Sequence, residues 1–173
     1  MRVNLKRLEL LPGQKKKLAE KTEGLPEMLE GMSAAFDGEM SVELLVEYTG
    51  RCWMIRGTLT APLKLICSRC LEPFCFTVQG EFERIAVAGE ARFLAYTKNE
   101  EEDETCLLLQ DGEVDLSQAV EETLVLNVPM VPLCRENCSG LCAVCGQNLN
   151  LGTCHCRDDV IDPRLEKLKF LLQ

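Results

Sequence analysis

The chain has 173 residues, with 19 Lys and Arg against 28 Asp and Glu, and its formal net charge is −9. Hydrophobic residues make up 46% of it and charged residues 27%, which excludes wholesale disorder, collagen and long coiled coils. A net anion does not bind polyphosphate through bulk charge, because phosphate affinity comes from Lys and Arg displacing counterions. The sequence has neither a run of about 18 apolar residues nor a secretory leader pattern, so we expect a cytoplasmic protein.

The N-terminal region is the basic part of the chain. Residues 1–22 hold seven basic and two acidic side chains, whereas residues 23–133 hold seven basic and 21 acidic ones, a net −14. We predict a strand over 2–10, a turn at Pro12-Gly13 and a short helix over 14–21, which Gly24 and Pro26 end. The cluster Lys15-Lys16-Lys17 then lies on that helix, either as a solvated face or as a local RNA contact.

The centre of the chain alternates apolar and polar residues with a period of two. The apolar members are Met40 to Tyr48, Trp53 to Leu65 and Phe74 to Phe82, taken at every second position. Tight connections separate these three runs, and one of them is Thr49-Gly50. This pattern predicts an antiparallel meander with one buried face.

The remaining elements are short. We predict a strand over 91–96, a solvated acidic loop over 99–104 and a strand over 106–110 that Asp111-Gly112 closes. A helix follows over 115–127 with Asp115 as N-cap, and a last helix begins near Asp162-Pro163. The predicted fold is therefore α+β, with an antiparallel β-rich domain over 1–133, short flanking helices and a cysteine-rich segment over 134–173 packed on it.

Eleven cysteines are too many for chance, and in a reducing compartment thiols at short spacings indicate metal ligands before disulfides. Eight of them form four close pairs: Cys67 and Cys70, Cys134 and Cys138, Cys142 and Cys145, and Cys154 and Cys156. Structural zinc takes four ligands in a tetrahedron, so eight paired thiols suit two ions. A four-thiolate site also suits iron.

The pairs can be combined in two ways. In the first, Cys142, Cys145, Cys154 and Cys156 hold one zinc, and Cys67, Cys70, Cys134 and Cys138 hold another that ties the tail to the sheet. In the second, Cys134, Cys138, Cys142 and Cys145 hold a single zinc and the other thiols are free or form a weak site. We favour the first. Gly146, directly after Cys145, permits the positive φ of a zinc knuckle.

The other candidate residues have simpler interpretations. Cys52, Cys75 and Cys106 stand alone and are expected to be ordinary core or surface residues. His155 lies between two cysteines and is expected to be a bystander. A redox role for Cys67-Ser-Arg-Cys70 lacks the strand and helix context of thioredoxin-like proteins.

Catalysis has little support in the sequence. HExxH, P-loop, GxGxxG and GxSxG motifs are absent, and a single histidine limits general-base chemistry. If every zinc ligand is a thiolate, no open position remains for water, so the metals would be structural. We therefore expect a protein that is not an enzyme.

Two motifs resemble the YceD family, whose members are bacterial and plastid proteins implicated in the accumulation of large-subunit ribosomal RNA. The first is CSRCLEPF, which begins at Cys67, and the second is the string VPLCRENCSGLCAVCGQNLNLGTCHCRDDVIDPRLEKL, which contains the tail cysteines. The family motif falls on Cys67, Arg69, Cys70, Leu71, Pro73 and Phe74, and in the tail on Cys134, Cys138, Gly140, Leu141, Cys142, Cys145, Gly146, Asn148, Asn150, Cys154, Cys156, Asp162, Pro163 and Arg164. Some enterobacterial relatives lack most of the tail cysteines, which fits two separable sites.

The resemblance implies a ribosome-biogenesis factor that promotes accumulation or processing of 23S rRNA. Its partners would be precursor large-subunit rRNA or ribosome-assembly proteins. Four arginines near the cysteines are candidates for phosphate contact, namely Arg69, Arg135, Arg157 and Arg164, although they would also balance zinc-thiolate charge. The alternative is an acidic adaptor that docks a ribosomal protein or a processing enzyme and affects rRNA indirectly.

Overall fold

Alternating apolar side chains build the central sheet. The computed structural model describes residues 1–24, 26–90 and 105–156. The predicted strand over 91–96, the acidic loop over 99–104, the last helix, Arg157 and Arg164 lie outside the described residues. Within them the strands are β1 (Arg2–Asn4), β2 (Lys15–Glu23), β3 (Ala34–Phe36), β4 (Glu39–Tyr48), β5 (Cys52–Ile66), β6 (Pro73–Ala88), β7 (Cys106–Leu109) and β8 (Glu113–Asp115). Short 3-10 turns span Lys6–Leu8 and Pro26–Leu29, and helix α1 spans Ser117–Asn127.

The strands form two sheets. The larger has the order β2-β4-β5-β6-β7, with β3 also paired to β5, and the smaller pairs β1 with β8. The predicted meander β4-β5-β6 is confirmed; Val42 lies opposite Leu59 and Val46 opposite Ile55, so the alternating apolar side chains share one face. The β6–β7 pair is parallel. The described part of the chain is thus mostly antiparallel sheet with α1 as its α-helix.

Two predictions for the N-terminal region are wrong. The segment expected to be a helix over 14–21 is the strand β2, because all nine of its residues pair with β4, from Lys15 opposite Glu47 to Glu23 opposite Glu39. The first strand ends at Asn4 rather than at residue 10, because the chain turns into the 3-10 segment Lys6–Leu8. Helix α1 begins at Ser117, two residues after the start expected at Asp115. The prediction of Asp115 as N-cap is also wrong, because Asp115 still belongs to β8 and the N-cap is Leu116, which makes no side-chain cap bond.

The larger sheet and α1 contribute buried side chains to one apolar cluster. Val42, Val46, Ile55 and Leu59 come from the sheet, and Leu124 comes from α1; all are at most 1% exposed. Phe82 of β6 joins the same cluster. The helix therefore covers an apolar face that the strands alone would leave in water.

The chain divides into two units. The first comprises Met1–Leu65 and Phe74–Met130, and holds the sheets, α1 and the apolar cluster. The second comprises Ile66–Pro73 and the chain from Val131 onward. The first CxxC loop therefore groups with the tail.

Candidate metal centres

The second unit buries cysteines where most domains bury aliphatic side chains. Among its described residues, the buried apolar side chains are those of Cys67, Cys70, Cys138 and Cys142. Every member of the large apolar cluster belongs to the first unit. A segment without an apolar core needs another source of stability, and metals or disulfides supply it in small domains.

Four thiols meet in what we call cluster one: Cys67, Cys70, Cys134 and Cys138. Their sulfur atoms all lie within 4.8 Å of one another. The Sγ atoms of Cys67 and Cys138 are 3.8 Å apart, as are those of Cys70 and Cys134. Zn–S bonds of about 2.3 Å in a tetrahedron place sulfurs roughly 3.8 Å apart, so the spacing fits one zinc.

Backbone turns aim the first pair of cluster one. The amide of Leu71 donates to the carbonyl of Cys67 at 2.9 Å, and the amide of Cys67 donates to Glu72 at 2.9 Å. Leu71 takes a positive φ of 59°, which closes this loop. The Ser68 amide also donates to the Pro132 carbonyl at 2.8 Å, which joins the loop to the tail segment.

The other four thiols form cluster two: Cys142, Cys145, Cys154 and Cys156, again with all sulfurs within 4.8 Å. The amide of Gly146 donates to the Cys142 carbonyl at 2.9 Å, and Gly146 has the predicted positive φ, 73°. The Val144 amide points at the Cys142 sulfur, 3.4 Å away. Backbone N–H groups directed at sulfur stabilise a thiolate, as a metal knuckle requires.

The structure therefore brings together the two sets of four that we favoured from sequence. The alternative set of Cys134, Cys138, Cys142 and Cys145 is divided between the two clusters. Cys52, Cys75 and Cys106 belong to neither cluster, and His155 is exposed and outside cluster two. Each cluster thus offers four sulfur donors and no fifth group among the described residues.

The thiols of cluster one have pKa values shifted in opposite directions. Burial raises the pKa of Cys67, but backbone hydrogen bonds from Cys134, Cys70 and Arg69 outweigh it and lower the pKa to about 6. The Asn150 amide lowers the pKa of Cys138. Burial and the neighbouring thiols raise the pKa of Cys134 to about 12. A divalent cation would relieve this conflict, since it lets all four sulfurs ionise together.

Cluster two has the same division. Backbone N–H groups of Cys145 and Val144 lower the pKa of Cys142 to about 6. A hydrogen bond with Cys145, together with burial, raises the pKa of Cys156 to about 12. In each cluster, hydrogen bonds lower the pKa of one thiol to about 6, while burial and neighbouring thiols raise that of another to about 12.

The two described arginines of the predicted contact set lie in the second unit. The Arg69 guanidinium donates to the carbonyl of Cys138 at 3.0 Å, and that of Arg135 donates to Asn150 Oδ1. Both side chains are exposed. Asn150, which contacts Cys138 directly, falls on the family motif in the sequence, but no role was predicted for it.

These observations define a class: a β-rich protein with a cysteine-rich segment that gathers two four-thiol clusters able to hold metal ions. Among the described residues, no helix is long and apolar enough to span a membrane. The chain belongs to the YceD family, described as large ribosomal RNA subunit accumulation protein YceD, which it matches over residues 55–172. The family resemblance drawn from the two cysteine motifs is therefore confirmed.

Several curated proteins are similar to this chain. An uncharacterized protein of Mycobacterium leprae is 31% identical over 144 residues, which cover 83% of this chain and 64% of that protein. An uncharacterized protein of Mycobacterium tuberculosis is 33% identical over 133 residues, 77% of this chain and 62% of the relative. The chain thus spans less than two thirds of the length of these relatives.

A maize protein shares a shorter region. It is named large ribosomal RNA subunit accumulation protein YCED homolog 1, chloroplastic, and is 38% identical over 48 residues, 27% of this chain and 16% of that protein. No solved structure matches the chain.

Proposed function

We propose that this chain is a non-enzymatic, cytoplasmic ribosome-biogenesis factor that promotes accumulation or processing of 23S rRNA. Membership of the YceD family carries the proposal, because the family description names large-subunit rRNA accumulation. The name of the maize relative points in the same direction. The four-sulfur donor sets support the absence of catalysis, since a fully thiolate-ligated metal leaves no position for substrate or water.

In this proposal each cluster holds one structural zinc ion. Cys67, Cys70, Cys134 and Cys138 are the ligands of the first, and Cys142, Cys145, Cys154 and Cys156 are those of the second. The 3.8 Å sulfur separations in cluster one support zinc, as does the preference of soft thiolates for this metal. Bound zinc would stabilise the fold of the second unit, from which basic side chains can contact a partner.

The primary test is genetic. In a strain without the gene for this chain, we expect a lower ratio of 23S to 16S rRNA, restored by the wild-type protein and not by Cys67→Ser. The matched control is Cys75→Ser, because Cys75 is exposed, lies outside both clusters and donates to Asp37, a bond that a serine hydroxyl can retain. An unchanged rRNA ratio in the deletion strain would overturn the proposal.

Direct contact with precursor rRNA is the favoured mechanism. Arg69 and Arg135 are exposed beside cluster one, and a guanidinium has more N–H donors than the single hydrogen bond described for each uses. Arg157 and Arg164 complete the proposed contact set. In a filter-binding assay, Arg69→Ala with Arg135→Ala should weaken binding to an rRNA fragment and lower the salt slope by about one for each phosphate that is no longer neutralised.

The control for that assay is Lys64→Ala, which removes one positive charge from an exposed position in the first unit, outside the basic N-terminal region. Its affinity should match that of the wild type. If the chain has no affinity for bare rRNA even at low salt, direct binding fails and the adaptor function takes its place.

One observation favours the adaptor as a second candidate. Residues 23–133 carry a net charge of −14. The exposed carboxylates of Glu43, Glu81 and Glu83 line a groove across the larger sheet together with Lys17 and Arg56, and Arg56 pairs with Glu83 at 2.9 Å. A region with this net charge repels rRNA and attracts a basic protein at long range. Capture of basic ribosomal proteins by the wild type, abolished in Glu43→Lys with Glu81→Lys, would support it.

A further inference from the structure

Asn150 occupies an unusual place between the two clusters. It belongs to the segment 146–153, which joins Cys145 to Cys154 of cluster two. Yet its side-chain Nδ2 donates to the sulfur of Cys138 in cluster one, at 3.3 Å. One residue thus belongs to the loop of one candidate metal site and touches a ligand atom of the other.

Every hydrogen-bonding position of this amide is used. Besides Cys138, Nδ2 donates to Asn148 Oδ1 at 2.9 Å. Oδ1 accepts from the amide of Ser139 at 2.9 Å and from the Arg135 guanidinium. Two donors and two lone pairs are the full capacity of an asparagine side chain, so its orientation is fixed from four sides.

The loop that carries Asn150 depends on cluster two. Its first part is held by bonds from Cys142 N to Gln147 O and from Leu149 N to Gly140 O, both 2.9 Å. Its two ends are Cys145 and Cys154, so a metal in cluster two would close it and reduce the entropy cost of placing Asn150. Without that metal the loop has more conformational freedom, so placing Asn150 costs more entropy.

The bond to Cys138 matters for cluster one because an N–H donor stabilises the ionised sulfur. Hydrogen bonds to metal ligands commonly change metal affinity by about 10- to 100-fold. An aspartate of nearly the same shape could not serve, because a carboxylate offers no N–H and would place a negative charge beside the sulfur.

We infer that Asn150 is a positioning residue that couples the two metal centres: metal in cluster two directs the Asn150 amide onto Cys138 and so raises the metal affinity of cluster one. Binding free energies are reciprocal, so metal in cluster one favours cluster two by the same factor. The two sites then fill and empty together. This inference rests on the two metal centres of the proposed function.

The test is cadmium-113 NMR of the full chain loaded with this metal. Each cluster should give its own resonance, so the two can be followed separately. Cys67→Ser and Cys154→Ser assign the two expected resonances. On titration with a chelator, the cluster-one resonance of Cys154→Ser should disappear at about 10-fold lower chelator concentration than that of the wild type. Asn150→Ala should lower this chelator concentration by a similar factor. The double variant Asn150→Ala with Cys154→Ser should lower it little further, because both changes remove the same coupling. Persistence of the cluster-two resonance in Asn150→Ala shows that its loop still forms.

A matched pair separates the hydrogen bond from charge. Asn150→Asp should shift the cluster-one resonance, whereas Gln147→Glu, the same amide-to-carboxylate change at an exposed position of the same loop, should leave it in place. Additive losses, or an unchanged cluster-one resonance in Cys154→Ser, would overturn the coupling and leave the proposed zinc sites standing. Absence of both resonances from the wild type would overturn both.

Discussion

At the scale of single residues, the thiols set how metal binding depends on pH. In cluster one the pKa values of Cys70 and Cys134 are raised above the ordinary thiol value, and in cluster two so are those of Cys154 and Cys156. At pH 7 each ion must therefore displace at least two protons, because metal ligands bind as thiolates. Lowering the pH favours the protonated thiols and weakens binding.

We expect the apparent zinc affinity of each cluster to fall at least about 100-fold for one pH unit below 7, since two displaced protons give a slope of two. Calorimetric titration in buffers of different ionisation enthalpy counts the protons directly. Release of fewer than two protons per ion would contradict the expectation.

Asp115 is a second residue with a defined pH effect. Its Oδ1 accepts from the hydroxyl and the amide of Ser117, at 2.6 and 2.9 Å, and these bonds hold the pKa of the carboxyl well below its usual range. A carboxyl with a lowered folded pKa stabilises the fold fully above the unfolded value of about 3.9, and this contribution is lost as the pH falls further.

Asp115→Ala should lower the free energy of unfolding by about 1 kcal/mol at pH 7, because it removes the two hydrogen bonds from Ser117. The difference from the wild type should shrink towards pH 2, where the wild-type carboxylate loses its advantage. Urea unfolding at the two pH values checks this, with Glu121→Ala, an exposed glutamate of α1, as the control. Equal losses for the two variants at pH 7 would mean that the hydrogen bonds between Ser117 and Asp115 do not stabilise the fold.

At the scale of elements, strand β2 shows why the helix predicted from local sequence over 14–21 does not form. Its residues Lys15–Glu23 consist mainly of Lys, Glu, Leu and Ala, which favour helices in isolation. Pairing with all of Glu39–Glu47 overrides that preference, and the Lys15–Glu47 ion pair at 2.9 Å adds to the register. Strand β4 has strict apolar alternation and was predicted correctly, since burial on one face is visible in the sequence.

The packing of β6 on β5 gives an element-scale prediction. Gly57 of β5 lies under the ring of Phe82, and a Cβ atom at position 57 would come within 2.2 Å of that ring. Gly57→Ala should therefore destabilise the first unit by about 1–3 kcal/mol, the usual cost of overpacking. Thermal and urea unfolding measure it.

The double variant tests the cause. Phe82→Leu alone should destabilise through reduced burial, since Phe82 is only 7% exposed. Combined with Gly57→Ala it should cost less than the sum of the two, because the smaller side chain leaves room for the new methyl group. Strict additivity would mean that the clash with Phe82 is not the source of the loss.

At the scale of the whole molecule, sequence patterns predicted what depends on local spacing. The CxxC, CxxxC and CxC pairs indicated the eight clustered cysteines, and the central alternation indicated β4, β5 and β6. The hydrogen bond between Asn150 and Cys138 was not predictable, because it joins two residues whose proximity depends on how the clusters fold. The grouping of Ile66–Pro73 with the tail has the same origin: the pairing of distant cysteines decides it.

The two units should respond differently to metal removal. The first has a continuous apolar cluster, whereas the buried apolar side chains described in the second are cysteines. Structural zinc contributes about 10–16 kcal/mol in small peptides, more than the whole stability of many domains.

With a strong chelator, we expect hydrogen exchange to accelerate over 131–156 by orders of magnitude, while the amides of β4 and β5 stay protected. Cys67→Ser without chelator should reproduce part of this effect in the second unit, and Cys75→Ser none of it. Uniform acceleration across both units would mean that the metal sites stabilise the entire chain as one cooperative structure.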